Sequence, residues 1–271
     1  MILQEIINSI ESVAPLSYQE AWDNSGLQVG ERNAEVKAAL LTVDVTESIV
    51  SEAITKHCDL IVSHHPLLFR GLKHLTGSTP QEQCVAQAIR HGIAIYSAHT
   101  SMDSYLHGVS GRMAERIGIS EYRILSPQQG REEVGLGVIG NLPTPMPWTD
   151  FVSLVHSAFR TEHSGIRCIA PLKTEVQTIA LCGGAGAEFV ETAIAQGADM
   201  YISADFKYHE MQSAVGRIGI IDLDHWVSEQ FTRDIFRELL TPYIRVEVAE
   251  TDHSPIVYYA DNGILHWQSS D

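Results

Sequence analysis

The sequence predicts an α/β fold built from an internally duplicated unit, with mixed sheets flanked by helices, and two observations carry that expectation. The first is repetition. Glu35 to Ser63 can be laid on Glu175 to Ser203 without a gap, so that Glu35, Val36, Leu41, Val50, Ala53, Ile54, Asp59 and Ser63 recur as Glu175, Val176, Leu181, Val190, Ala193, Ile194, Asp199 and Ser203. A second block, Ile93 to Asp103, lies over Gly219 to Glu229, its register shifted by an extra stretch around Ser63 to Leu67 in the first copy. Self-similarity of this kind marks a duplicated structural unit. The second observation is alternation: short apolar runs are separated by helix-length segments, the pattern of α/β layers.

At the N-terminus, Ile6, Ile7, Ile10 and Val13 stand at helical spacing with Glu5 and Glu11 between them, which reads as an amphipathic helix and not a signal peptide. The first copy then reads as strand Ala38 to Val43, helix Ser48 to Lys56, strand Asp59 to Ser63, helix Gln81 to His91, strand Ile93 to Ser97 and a helix from about Gly108 to Ile117. Strand Val134 to Ile139, a loop at Pro143-Thr-Pro145-Met-Pro147 and a helix from about Thr149 to Phe159 connect the copies. Prolines continue neither helix nor strand, so the connector marks the boundary region. The second copy reads as strand Val176 to Cys182, helix Ala187 to Gln196, strands Met200 to Ser203 and Ile218 to Asp222, and one helix from about Trp226 to Leu240 with Val227, Phe231, Ile235 and Leu239 as its buried stripe. Tyr243 to Val248 and Ile256 to Tyr259 supply strands of unassigned sheet. The division expected is 1–125 for the first repeat and 126–271 for the second with the C-terminal strands.

Composition narrows the function classes. With 271 residues and 44% apolar content the chain can bury a sizeable core. A net charge of −16 without Lys or Arg clusters argues against tracking a nucleic-acid backbone. Cys58, Cys84, Cys168 and Cys182 show no zinc-finger spacing and read as free, mostly buried thiols. No run approaches the roughly 18 apolar residues a membrane span needs, and the expected location is cytoplasmic.

Strand Asp59 to Ser63 runs into His64-His65-Pro66, and the carboxyl ends of strands in α/β sheets are where ligands bind. Adjacent imidazoles there could bind different metal ions, frame one site, or serve as solvated or hydrogen-bonded loop histidines. His225 and Glu229 follow the N-cap residue Asp224 at positions i and i+4 and share a helical face. Their counterparts His99 and Asp103 read as a loop before the next helix. An isolated pair of this spacing is commonly a surface pair; equivalent loops from two copies, with His64 and His65 beside them, instead bring at least three imidazoles and two carboxylates to one locality. A nitrogen and oxygen donor set without thiolate suits zinc, iron, manganese or nickel, and fits calcium or magnesium poorly. Five or six donors exceed the need of one catalytic zinc. The surplus implies two divalent ions, with Glu229 or Asp103 as a bridging carboxylate, and a pair about 3.5–4 Å apart activates water for hydrolysis.

Trp22-Asp23-Asn24-Ser25-Gly26-Leu27-Gln28-Val29-Gly30, Ser63-His64-His65-Pro66, His99-Thr-Ser-Met-Asp103, Gly197-Ala-Asp199-Met-Tyr-Ile-Ser203 and Asp224-His225-Trp-Val-Ser-Glu229 together resemble the Nif-three-like family, whose members are also called GTP cyclohydrolase 1 type 2 homologues. The resemblance runs nearly end to end. It implies two intertwined α/β repeats, a dinuclear metal centre, a toroidal homohexamer, and metal ligands at His64, His65, Asp103, His225 and Glu229. His99 lies outside that set and is placed beside it or as a proton shuttle. Some members carry a long domain between the halves, for which the connector here is too short.

Cys182-Gly183-Gly184-Ala185-Gly186 could hold an anion on its amides, but a tight strand-to-helix turn needs the same glycines and is the favoured reading. In the second copy Asp205 stands in place of His65, and Lys207, Tyr208 and His209 are candidate substrate contacts. Trp22 to Gly30 has turn chemistry, with Asp23 and Asn24 able to tie down loops. His57, His74, His91, His107, His156, His163, His253 and His266 are scattered and read as solvated or packed. The expected function is a metal-dependent hydrolase of a small nucleotide-like or phosphorylated molecule, with His99 or Glu229 as the catalytic residue that handles the proton. The alternative is a non-enzymatic metal-binding scaffold whose hexamer presents a surface to partners.

Overall fold

The computed structural model describes residues 1–159, 165–260 and 263–265. Its elements are α1 (Leu3–Glu11), β1 (Gly26–Val29), β2 (Ala38–Thr42), α2 (Glu47–Thr55), β3 (Leu60–Ser63), α3 (Pro80–His91), β4 (Ala94–Ser97), α4 (Thr100–Asp103), α5 (Val109–Arg116), β5 (Tyr122–Gln128), β6 (Arg131–Pro147) and α6 (Trp148–Phe159). There follow β7 (Arg167–Ile169), β8 (Glu175–Ala185), α7 (Val190–Ala195), β9 (Met200–Ala204), α8 (Tyr208–Ala214), β10 (Gly219–Leu223), α9 (His225–Glu229), α10 (Thr232–Leu240), β11 (Arg245–Val248), β12 (Tyr258–Ala260) and β13 (Gly263–Leu265). Contacts divide the chain into a first unit, Met1–Ser104 with Thr232–Asp252, and a second, Tyr105–Phe231 with the residues from His253 onward. The fold is α/β with a mixed sheet in each unit. Among the described residues no helix is long and apolar enough to cross a membrane.

In the first unit the sheet order is β1-β4-β3-β2-β11, with β1 antiparallel to β4 and the other neighbours parallel. Strands β2, β3 and β4 are buried at every position, which is why they read as unbroken apolar runs: a parallel sheet is covered on both faces. Helices α2 and α3 cover one face through Ile49, Val50, Ala53, Cys84, Val85 and Ala88. Local signals delimit them. Thr46 caps α2 by accepting from the Ile49 amide at 3.3 Å, and Thr79 with Pro80 opens α3, which Gly92 closes at φ +65°. The tail strand left without a sheet, β11, pairs in parallel with β2.

Glu52 on α2 fastens the segment after β11, accepting from the amides of Glu250 (2.8 Å) and Thr251 (3.0 Å), from the Thr251 hydroxyl (2.7 Å) and from Lys56 Nζ (2.9 Å). Burial disfavours its charge, but these donors outweigh burial and hold its pKa near 2, against 4.5 ordinarily. A depressed carboxylate stabilises fully above its unfolded value and ceases to do so as pH falls through the folded one. The wild-type unfolding free energy is therefore expected to fall more steeply than that of Glu52→Gln between pH 4.5 and 2; parallel urea-denaturation curves across that window would refute this.

The second unit has sheet order β5-β6-β8-β9-β10-β7, parallel across β8, β9 and β10 and antiparallel elsewhere. Its core joins Leu125, Ile139, Ala180, Val190, Ala193, Tyr201, Phe206 and Ile220. Both units lock a strand start in the same way: Asp59 accepts from the amides of Lys37 and Ala38, and Asp199 from those of Gln177 and Thr178.

Three local expectations are corrected. Pro143 to Pro147 belong to β6 and do not form a loop. Pairing of β6 with β5 runs only to Gly140, and its register with β8 is interrupted between Asn141 and Met146, so Pro143 and Pro145 sit where ladder pairing is absent, while Pro147 stands opposite Glu175 at the end of the strand. The single helix expected from Trp226 to Leu240 is two, α9 and α10, with Ile235, Phe236 and Leu240 as the buried positions of α10. At the break Gln230 Nε2 donates to the carbonyls of Val227 (3.1 Å) and Phe159 (3.3 Å), and the Phe231 ring centroid lies 3.8 Å from the Arg116 guanidinium carbon. His99 and Asp103 are not in a loop: His99 is the N-cap of α4 and Asp103 its last residue, with the Asp103 amide donating to the His99 carbonyl at 3.1 Å.

Candidate metal centre

In the first unit β2, β3 and β4 run parallel and end on the same side, which brings Asp44, His64-His65 and His99 out together. The turn after β3 is fixed by backbone bonds from the His64 and His65 amides to the carbonyls of Thr42 and Val43, and by the Ser63 hydroxyl, which donates to the His65 carbonyl at 2.8 Å. His64 is fully buried, its ring 4.9 Å from that of His65 and 5.3 Å from that of His99. One nitrogen from each of these three imidazoles lies within 4.8 Å of the others, a grouping able to hold a metal ion. Asp103 Oδ1 stands 3.6 Å from His64 Nε2.

In the second unit the carboxyl ends of β8, β9 and β10 deliver Gly184, Asp205 and His225. Asp224 caps α9 by accepting from the Val227 amide at 3.3 Å, and is itself held by Ser254 Oγ at 3.0 Å and the Tyr258 hydroxyl at 3.2 Å. One helical turn separates His225 from Glu229, and His225 Nε2 lies 3.1 Å from Glu229 Oε2. Glu229 is only 3% exposed. Gly184, at φ +63°, makes room for it: a Cβ there would overlap Glu229 Oε1 and come within 3.3 Å of His225 Cε1. The glycine-rich stretch is thus structural, ending β8 and backing the Glu229 carboxylate.

One arrangement recurs at every candidate histidine. Nδ1 of His64 lies 3.1 Å from the Ala98 carbonyl, that of His65 2.9 Å from Asp44, that of His99 2.8 Å from Asp23, and that of His225 2.7 Å from Asp205. Carbonyls and carboxylates only accept, so each Nδ1 is assigned a proton; Nε2 of His64, His65 and His99 is assigned the lone pair, whereas Nε2 of His225, 3.1 Å from the Glu229 carboxylate, also donates. Carboxylate or carbonyl support of this kind is how proteins orient metal-binding imidazoles. Asp205 adopts the left-handed region at φ +60°, unusual for a non-glycine residue, where it meets His225. Electrostatics follow the geometry. Burial opposes a charged His225, yet Glu229 and Asp205 outweigh it and pull its pKa up to about 11, so the pair draws a positive charge. For Asp23 burial is likewise outweighed, by hydrogen bonds from His99, Thr100 and Ser25, and the carboxyl is held well below the usual range.

His64, His65, His99 and Asp103 come together in the first unit, and His225, Glu229 and Asp205 in the second. Lys207, Tyr208 and His209 stand exposed at the start of α8, Lys207 3.8 Å from Glu210 and His209 Nδ1 3.2 Å from Gln212. Asp23 and Asn24 tie loops, as their turn chemistry implies. Of the scattered histidines, His107 meets the Tyr122 hydroxyl at 2.9 Å, while His163 and His266 lie outside the described residues. Asp44, and the place of Gly184 behind Glu229, were not foreseen, because no motif in sequence reveals the acceptor of an imidazole or the wall behind a carboxylate. Beside His65 and Asp44 opens a cleft of about 450 Å³ lined by Thr46, Glu47, Leu67 and Gln81.

A model of the family described as Duf34/NIF3 (NGG1p interacting factor 3) matches residues 1–255. The chain belongs to this family. A Streptococcus pneumoniae relative named GTP cyclohydrolase 1 type 2 homolog is 32% identical over 241 residues, covering 87% of this chain and 89% of the relative. A Clostridium perfringens protein of the same name is 33% identical over 231 residues, covering 84% and 87%. A Bacillus cereus protein related to NIF3 shares the fold, with a TM-score of 0.85 at 23% identity over 95% of this chain and 99% of its own. The Duf34/NIF3 resemblance drawn from the motifs therefore holds.

Proposed function

We propose that the protein binds two divalent metal ions through His64, His65, Asp103, His225 and Glu229 and hydrolyses a small nucleotide-like or phosphorylated substrate. The observation that carries this reading is a shared orientation: His64, His65 and His225, like His99, each have Nδ1 held by an oxygen acceptor, which leaves Nε2 as the nitrogen that would meet a metal ion. Nitrogen and oxygen donors without thiolate suit zinc, iron, manganese or nickel. When bound, such ions supply Lewis-acid activation of water and of substrate oxygens. The chain's own residues orient and move protons. Asp23 holds the His99 ring for proton transfer, and Glu229, backed by Gly184, is the second candidate for that task. The name borne by the S. pneumoniae and C. perfringens relatives supports a nucleotide-like substrate.

The matching Asp59 and Asp199 locks support a duplication as the origin of the two units. Family membership supports a toroidal homohexamer, and four free cysteines suit the reducing cytoplasm.

Metal content per chain, measured on wild type and on the His64→Ala, Glu229→Ala double variant, tests the reading, with turnover of nucleotides, phosphodiesters and peptides screened alongside. Wild type is expected to hold about two ions per chain and the variant markedly fewer, since each lost ligand removes coordination the remaining donors cannot replace. Equal metal content would end the proposal. Bound metal with equal turnover in both proteins would leave a metal-binding scaffold.

A further inference from the structure

Two large aromatic rings stand in the open next to the imidazole group of the first unit. Trp22 is 60% exposed and Phe69 46% exposed, although apolar rings of this size are normally buried. They meet edge to face, centroids 6.0 Å apart at 61°, so the pair is not stacked and at most one ring face is taken up by the contact. Both also approach His99, Trp22 at 6.0 Å and Phe69 at 6.3 Å, and the His99 ring lies 5.3 Å from His64 and from His65.

The loops that carry these rings are pinned. Asn24 Nδ2 donates to the Leu68 carbonyl at 2.7 Å, and the Leu68 amide donates to Gln28 Oε1 at 3.2 Å, which ties the residue before Phe69 to the segment after Trp22. Asp23, next to Trp22, is bonded to His99 and Thr100. A surface held this way costs little to order when something binds. The cleft beside His65 offers a poor alternative for a flat ring bearing an anionic group: its lining includes Asp44 and Glu47 and, apart from the His65 imidazole, no aromatic ring and no Lys or Arg among the described residues.

We propose that Trp22 and Phe69 form a stacking subsite for a planar heteroaromatic ring of the substrate, placing that ring beside His99. The inference deepens the substrate class proposed above and rests on it. Stacking on aromatic side chains is the ring-specific and sequence-tolerant means by which proteins hold bases.

The test is calorimetric titration of the full-length chain, metal-free and zinc-loaded, with guanosine 5′-monophosphate, adenosine 5′-monophosphate and ribose 5-phosphate. Both nucleotides are expected to bind more tightly than ribose 5-phosphate, which lacks the ring. Trp22→Ala and Phe69→Ala should each weaken nucleotide binding by about 5- to 150-fold, the effect of losing one stacked ring, while Trp22→Phe keeps most of it. Ribose 5-phosphate affinity, metal content and the thermal unfolding midpoint should stay at wild-type values. No preference for the ring-bearing probes in wild type overturns the subsite, as does an alanine variant that binds them unchanged. An equal loss of ribose 5-phosphate binding, or a change in sedimenting mass with nucleotide binding intact, also overturns it, the latter by making this face a subunit contact. Metal-free titrations read the ring preference alone, so a chain that fails to bind metal defeats the hydrolase reading without deciding this one.

Discussion

Asp23→Ala is expected to destabilise the protein by about 3–5 kcal/mol, the range for breaking a buried charged network. The Asp23 carboxylate is fully buried and accepts from His99 Nδ1 (2.8 Å), the Thr100 amide (3.0 Å), the Thr100 hydroxyl (2.6 Å) and the Ser25 hydroxyl (2.8 Å). Ser25 Oγ in turn accepts from the His99 amide at 3.0 Å. Removing the carboxylate strands several donors at once, and each buried donor left unsatisfied costs about 1–3 kcal/mol. Since Asp23 also satisfies the N-terminus of α4, the turn carrying Asp103 should loosen with it. Urea denaturation at neutral pH reads the loss. Asp23→Asn keeps the shape and one acceptor oxygen and should recover part of the stability; an alanine variant within about 1 kcal/mol of wild type would sink the account, being no more than one ordinary hydrogen bond.

Gly184→Ala should act chiefly on the binding of the proposed metal ions. An L-residue held at φ +63° pays roughly 1–2 kcal/mol, and the added methyl collides with Glu229 Oε1. Glu229 is buried against His225, so its carboxylate must turn away from the position that the glycine backs. The expected result is about 2 kcal/mol lower stability in the metal-free protein and a metal affinity about 10- to 100-fold weaker, the usual penalty for disturbing the support of a ligand. Competition with a chromophoric chelator measures the second quantity. Wild-type affinity in the variant would mean that Glu229 does not depend on the glycine wall.

Much of this architecture could be read from sequence because the signals were local. Unbroken apolar runs such as Leu60 to Val62 announce strands covered on both faces, and Thr46, Thr79 with Pro80, and Gly92 announce helix ends. Misread segments were decided at a distance. The cap of α4 comes from Asp23, 77 residues before Thr100. Helix α9 gives way to α10 at Gln230 and Phe231, where the Gln230 side chain bonds the Phe159 carbonyl, with no glycine or proline to signal the break. His64 and His65 stood out by adjacency at a strand end, but their orientation is set by Ala98 and Asp44, which nothing in the local pattern singles out.

Strand β11 gives the first unit a long-delayed completion. Its partner β2 ends at Thr42, whereas β11 runs to Val248, so on a ribosome adding about 5–20 residues per second the two are separated by roughly 10–40 s. Until β11 arrives, one side of β2 presents unpaired amides and carbonyls while the Tyr105–Phe231 part of the second unit is being made. An open strand edge is a template for wrong partners. The nascent chain therefore passes through an interval in which shielding of that edge, by a chaperone or by early docking of α10, governs how much of it reaches the native state.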